Sequence, residues 1–158
     1  MKICLECAEG GHLDEILSII NAFNGNDIFF ITTLAPTTEH LKKDYSVYYV
    51  RKQYNTKTMV AVYLREFILI FKLLISISRI LVKEKPDLIV STGGGCTIPL
   101  FLLGKISQTK MVFIESLARV NAPSLTGRIV YPLSDVFLVQ WESMLKFYKN
   151  GEYWGRVL

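Results

Sequence analysis

Short apolar runs alternate with stretches of helical periodicity along the whole chain. Residues 3–8 are apolar at almost every position and end at Glu9-Gly10-Gly11-His12, which predicts a buried strand and a tight turn. Ile16, Leu17, Ile19, Ile20 and Phe23 then mark the buried side of a helix that Asn24-Gly25-Asn26 stops. Residues 27–32 and 46–50 read as the second and third strands, with a short helix after Pro36 between them. A long helix is expected over residues 58–85, where Pro86-Asp87 breaks it. Residues 88–91 predict a fourth strand that runs into Thr92-Gly93-Gly94-Gly95, followed by a helix over 97–106. A fifth strand over 110–114, a helix over 123–130 and a sixth strand over 135–140 complete the series. Such alternation is the pattern of a parallel sheet wrapped by helices, and no repeat or linker interrupts it. The expectation is an α/β fold: one Rossmann-like domain over residues 1–158.

Composition sharpens that picture. The chain of 158 residues is long enough to bury a core, and its hydrophobic fraction of 51% is high for a soluble domain. With a mean hydropathy of +0.31, this leans towards a partner surface, a membrane surface or both. A net charge of +4 suits anionic lipid or phosphate and is too weak to argue for nucleic acid. Cys4 and Cys7 share a predicted strand, where a spacing of three sends them to opposite faces, wrong for chelation or a redox pair. With Cys96 they read as buried, reduced thiols of a cytoplasmic protein. No secretory signal is expected, and the most apolar stretch, residues 59–82, is interrupted by Arg65, Glu66, Lys72 and Arg79. Any membrane contact is therefore expected to be peripheral.

Ligands of such sheets collect beyond the carboxyl ends of the strands. Gly10-Gly11-His12 and Gly93-Gly94-Gly95 both follow predicted strands and so open onto that edge. Glycine allows close backbone approach, and the following helix presents free amides, so two such loops fit a diphosphate. Either loop alone is equally readable as a tight turn. A dinucleotide site fits poorly, because the first loop lacks a third glycine and the second strand ends in Thr32-Thr33-Leu34 without an acid. No Gly-Lys-Ser/Thr element exists.

Gly10-Gly11-His12-Leu13, Ser91-Thr92-Gly93-Gly94-Gly95 and above all Glu115-Ser116-Leu117-Ala118-Arg119-Val120 resemble one known family. So do Pro123-Ser124-Leu125-Thr126-Gly127-Arg128, Tyr131-Pro132-Leu133-Ser134-Asp135 and Val139-Gln140-Trp141. It is the family of membrane-associated subunits of the dolichol-pathway UDP-GlcNAc transferase, with bacterial relatives in capsule and exopolysaccharide synthesis. More distantly, the layout looks like the amino-terminal domain of the transferase that makes lipid II. The resemblance runs from the first strand to Gly155. It implies the acceptor-binding half of a split GT-B glycosyltransferase, equivalent to the amino-terminal half of the whole enzyme and placed peripherally on the cytoplasmic face of the membrane. A separate donor-binding glycosyltransferase subunit would hold most of the nucleotide-sugar, and the acceptor would be a lipid-diphosphate-linked saccharide. No cofactor of its own and no metal are implied, and no metal-ligand cluster or DxD-like pair occurs in the sequence. Glu9 departs from the family pattern, and an amino-terminal anchor like that of the eukaryotic relatives is not expected.

The candidate residues follow. His12 stands where a helix begins, either to bond an acceptor phosphate or hydroxyl or act as a base, or to cap its own helix. Glu115 ends the fifth strand and would orient or deprotonate the acceptor hydroxyl, or else pair with Arg119 four residues on. Gly10, Gly11, Gly93, Gly94, Gly95 and Arg119 are the candidate diphosphate ligands; Arg128 is a weaker one. In the long helix Arg65, Lys72 and Arg79 recur every seven residues while Phe67, Phe71 and most neighbours are apolar, which suits a bilayer interface or a face buried against a partner. Gln140, Trp141, Tyr153 and Trp154 are the expected partner interface, the aromatic tail implying docking on its own domain or on the missing half. The combined expectation is inverting, metal-independent sugar transfer that needs both chains. The rival is a non-catalytic anchor or activator; a self-sufficient hydrolase lacks a nucleophile–base–acid set.

Overall fold

The computed structural model describes residues 1–50 and 59–158, the side chains of residues 59–68 excepted. Its strands are β1 (Lys2–Cys7), β2 (Asp27–Thr33), β3 (Ser46–Val50), β4 (Leu88–Gly93), β5 (Lys110–Ile114), β6 (Val136–Val139) and β7 (Glu152–Tyr153). They form one sheet in the order β3-β2-β1-β4-β5-β6-β7, each adjacent pair parallel. The helices are α1 (Gly11–Ser18), α2 (Pro36–Glu39), α3 (Met59–Glu84), α4 (Thr97–Ile106) and α5 (Leu125–Val130). From β1 the chain works outwards to β3, then returns beside β1 as β4 and works outwards the other way. This reversal places the connections leaving β1 and β4 on opposite faces and opens a crevice at the carboxyl edge between them.

Period-two alternation sorts the core. Ile3, Leu5 and Cys7 of β1 pack with Leu13 and Ile16 of α1 on one face. Cys4 packs on the other with Ile77 and Ile80 of α3 and with Leu100 and Phe101 of α4. Cys4 and Cys7 thus lie on opposite faces, as the spacing requires, and all three thiols are free and buried. Burial pushes the Cys7 thiol up to about 12 and holds Cys4 and Cys96 well above their ordinary value. None is a nucleophile at neutral pH.

Three elements differ from expectation. The first helix was expected to reach Phe23, but α1 ends at Ser18 and the chain tightens into a 3₁₀ turn over Ile20–Phe23. Ser18 Oγ donates to the Glu15 carbonyl at 2.7 Å, so the hydroxyl competes for the helix's own acceptors at that point. The fourth strand continues through Gly93, where the register with β1 shifts: Glu6 pairs with Ser91 but Cys7 pairs with Gly93. The seventh strand was not foreseen, because two exposed residues carry no alternation to read.

Candidate functional site

A cavity of about 430 Å³ opens at the crevice. Ala8 and His12 line it from the β1 side, Thr92 and Gly93–Gly95 from β4, and Glu115, Ser116, Ala118, Arg119, Ser124, Leu125 and Thr126 from the segment after β5. The loops predicted to share one edge therefore do so. Gly10 and Gly11 stand outside this lining, and the first loop enters the cavity through His12 instead. Helix α4 starts directly behind Gly93–Gly95, so its positive dipole end lies behind the glycine wall.

The glycine wall rests on Glu6, which is fully buried at the end of β1. Its Oε2 accepts from Ser91 Oγ at 2.5 Å and Thr97 Oγ1 at 2.8 Å, and its Oε1 from Cys96 Sγ at 3.1 Å. Burial raises this carboxyl above its ordinary value, while the three donors and His12 pull the other way. A side chain at Gly94 would put its Cβ 2.4 Å from Glu6 Oε1 and 3.0 Å from the Ala8 nitrogen. Thr92 Oγ1 donates to the His12 carbonyl at 2.7 Å and Ala8 N–H to the Gly93 carbonyl at 2.9 Å, so the two loops are laced together. A charge inside the apolar run of residues 3–8 was the legible sign of Glu6.

His12 is about one-third exposed. Its ring lies over Gly93, whose added Cβ would meet His12 Cε1 at 3.1 Å. His12 Nδ1 is turned inward, 3.7 Å from Glu15 Oε2, an ion-pair separation too long for a hydrogen bond. The Glu15 carboxylate raises the imidazole's pKa, and its burial opposes that rise. A helix cap is not its role, since no side chain caps α1.

Glu115 reaches the cavity wall, but its carboxylate faces inward and is 1% exposed as a residue. Oε1 accepts from Ser116 N–H at 3.2 Å; Oε2 accepts from Ser124 N–H at 3.2 Å and from Tyr148 hydroxyl at 2.6 Å. Its own burial, and after that the contact with the Glu115 carboxylate, push the Tyr148 hydroxyl far above its usual value. The expected role at an acceptor hydroxyl meets an obstacle here, because three internal donors already use these oxygens. The alternative pairing with Arg119 is not seen among the described residues. Arg119 is exposed at the cavity rim, and Arg128 is exposed on α5.

The expected partner interface divides. Gln140 is 2% exposed, donates to the Glu115 carbonyl at 3.0 Å and accepts from Val157 N–H at 3.0 Å, so it is a brace within the domain rather than a docking surface. Trp141 Nε1 donates to the Leu117 carbonyl at 2.7 Å, and the Arg156 guanidinium covers its ring at 4.0 Å. Tyr153 pairs in β7, and Trp154 is 76% exposed. The tail docks on its own domain and leaves Trp154 outward. On α3, Arg65 and Phe67 lie outside the described side chains; Phe71 is 57% exposed, and Lys72 and Arg79 are exposed. Among the described residues no helix is long and apolar enough to cross a membrane, and no group of three His, Cys, Asp or Glu is placed to hold a metal.

Residues 3–157 match the family model described as oligosaccharide biosynthesis protein Alg14 like. The rat UDP-N-acetylglucosamine transferase subunit ALG14 is 30% identical over all of this chain and 83% of its own length. The Candida albicans protein of that name is 42% identical over 48% of this chain, a match spanning 37% of its own length. Among solved structures, Acinetobacter baumannii MurG superposes with a TM-score of 0.69 at 17% identity, over 88% of this chain and 41% of MurG. The fold is thus that of one half of a GT-B glycosyltransferase.

Proposed function

Because the chain belongs to the family of Alg14-like oligosaccharide biosynthesis proteins, we propose that it is the acceptor-binding, membrane-recruiting subunit of a two-component glycosyltransferase. A donor-binding glycosyltransferase subunit supplies the second Rossmann half, and sugar passes from a nucleotide-sugar to a lipid-diphosphate-linked saccharide. The observation that carries this reading is the crevice cavity, where the Gly93–Gly95 main chain, His12 and Arg119 converge in a domain that superposes on one half of MurG. Open main chain beside a helix amino end, with an imidazole and a guanidinium, suits phosphate oxygens. His12 is the group assigned to the acceptor, and Glu115 clamps the segment that carries Arg119. The transfer is inverting and needs no metal in this reading. The relatives' names make UDP-N-acetylglucosamine the first donor to test, with an acceptor from capsule or exopolysaccharide assembly as the finer possibility in a bacterial setting. Peripheral contact with the cytoplasmic face is supported by Ile70, Phe71 and Val82 standing exposed on α3 beside Lys72 and Arg79.

The internally used Glu115 carboxylate favours a second reading, an anchor or activator that lends no catalytic group. Radiolabelled sugar incorporation into lipid, with this chain, its partner and both together, separates the two. Activity only with both chains, falling about a hundredfold in His12→Ala, supports a shared site. Full activity in His12→Ala leaves the anchor, and full activity from the partner alone removes the split-enzyme reading.

A further inference from the structure

Glu15 has no role in the function assigned above, yet it is 3% exposed and its two oxygens serve different elements. Oε1 accepts from Leu117 N–H at 2.8 Å and from Ser116 Oγ at 3.2 Å, across to the segment after β5. Oε2 and His12 Nδ1 are both buried, make no hydrogen bond and face each other at 3.7 Å. A buried carboxylate oxygen is tolerated beside an imidazole nitrogen that carries a proton, and repelled by one that presents a lone pair. Packing therefore selects the form of His12 with its proton on Nδ1, and leaves the rest of the ring to line the cavity.

We propose that Glu15 is a positioning residue that orients His12 towards the cavity through Nδ1–H and, with its other oxygen, fastens the Arg119-bearing segment to α1. The two side chains that meet an acceptor diphosphate are then set as one unit. The inference rests on the acceptor-binding reading of the cavity. The charges around His12 are Glu15 on its own helix, Glu6 on β1 and Arg119 across the cavity, with the Thr92 backbone beside it. Glu15 acts most strongly and raises the imidazole's pKa; burial lowers it.

Glu15→Gln keeps an oxygen for Leu117 N–H and removes the charge, whereas Glu15→Ala removes both. The chain has two histidines, so an NMR titration of the rings gives a resolved signal for His12. In Glu15→Gln the His12 midpoint should fall. Binding of inorganic pyrophosphate should weaken about tenfold, the loss of one charge-assisted contact. In the two-chain assay the acceptor KM should rise with kcat little changed, and Glu15→Ala should be worse on both. An unmoved His12 midpoint overturns the proposal, as does a moved midpoint with unchanged pyrophosphate binding. Equal losses in the two variants overturn the fastening role. If the wild-type chain, alone and with its partner, binds no pyrophosphate, the acceptor-binding reading fails instead, and the His12 titration still tests the contact with Glu15.

Discussion

The turn after β1 places Gly10 at φ 79° and Gly11 at the first position of α1, and a Cβ added at either would meet nothing within 4 Å. The turn after β4 presses Gly94 onto β1, where an added Cβ would fall 2.4 Å from Oε1 of Glu6, whose carboxylate already holds three partners through its two oxygens. Two glycine-rich turns that look alike in sequence thus answer different demands. The first needs glycine for a backbone angle at Gly10 and stays open to solvent. The second needs glycine for space at Gly94 as well as for a backbone angle at Gly93, φ 109°, and it is the one that walls the cavity. A phosphate-binding wall must be rigid as well as bare, and only the second turn has a buried foundation.

The sharpest way to break this comparison is Gly94→Ala. Glu6 cannot retreat without losing its donors, so the variant should lose roughly 2–3 kcal/mol of stability, read by thermal or urea unfolding. A change below about 0.5 kcal/mol would mean that the wall is not packed on Glu6. Gly10→Ala should follow at about 1–2 kcal/mol, from backbone strain alone, and the cavity should keep its pyrophosphate affinity.

Glu6→Gln tests the foundation through pH. Burial raises the Glu6 carboxyl above its ordinary 4.5, so the folded state holds that proton more tightly than the unfolded chain does. The stabilisation is full below the ordinary value and lost as pH rises through the folded one. The melting temperature of Glu6→Gln relative to wild type should therefore climb as pH rises from about 4.5, on top of a pH-independent loss from weakened hydrogen bonds. A flat difference would place the carboxylate in a more solvated setting than the packing shows. The smallest effect belongs to Gly11→Ala, which should be neutral or stabilising by up to about 0.5 kcal/mol, since this glycine has helical rather than left-handed geometry.

The first six strands were legible because each carries a dense apolar run, and β3 and β5 have the bounds that the pattern predicts. β7 was not, because its place depends on pairing with β6 and on Val157 reaching Gln140 rather than on its own composition. His12, Gly93–Gly95, Glu115 and Arg119 were named as candidates, and the fold brings them to one cavity. Gln140 was expected at the partner interface, yet two backbone partners hold it inside the domain. Glu15 left no sign, since an acidic residue beside the apolar stripe of a helix reads as solvated.

By itself the sequence determined the α/β class, the sites of the two turns and the opposite facing of Cys4 and Cys7. All of these follow from periodicities of two and 3.6 that act between near neighbours. Only the tertiary structure decided which glycine is needed for space, which carboxylates are buried and which oxygen of Glu15 meets His12. Those outcomes depend on groups such as Glu6 and Ser91, 85 residues apart and joined by the parallel pairing of β1 with β4. A local pattern can place a residue on a face, but its charge and its hydrogen bonds are set by whatever the fold brings against that face.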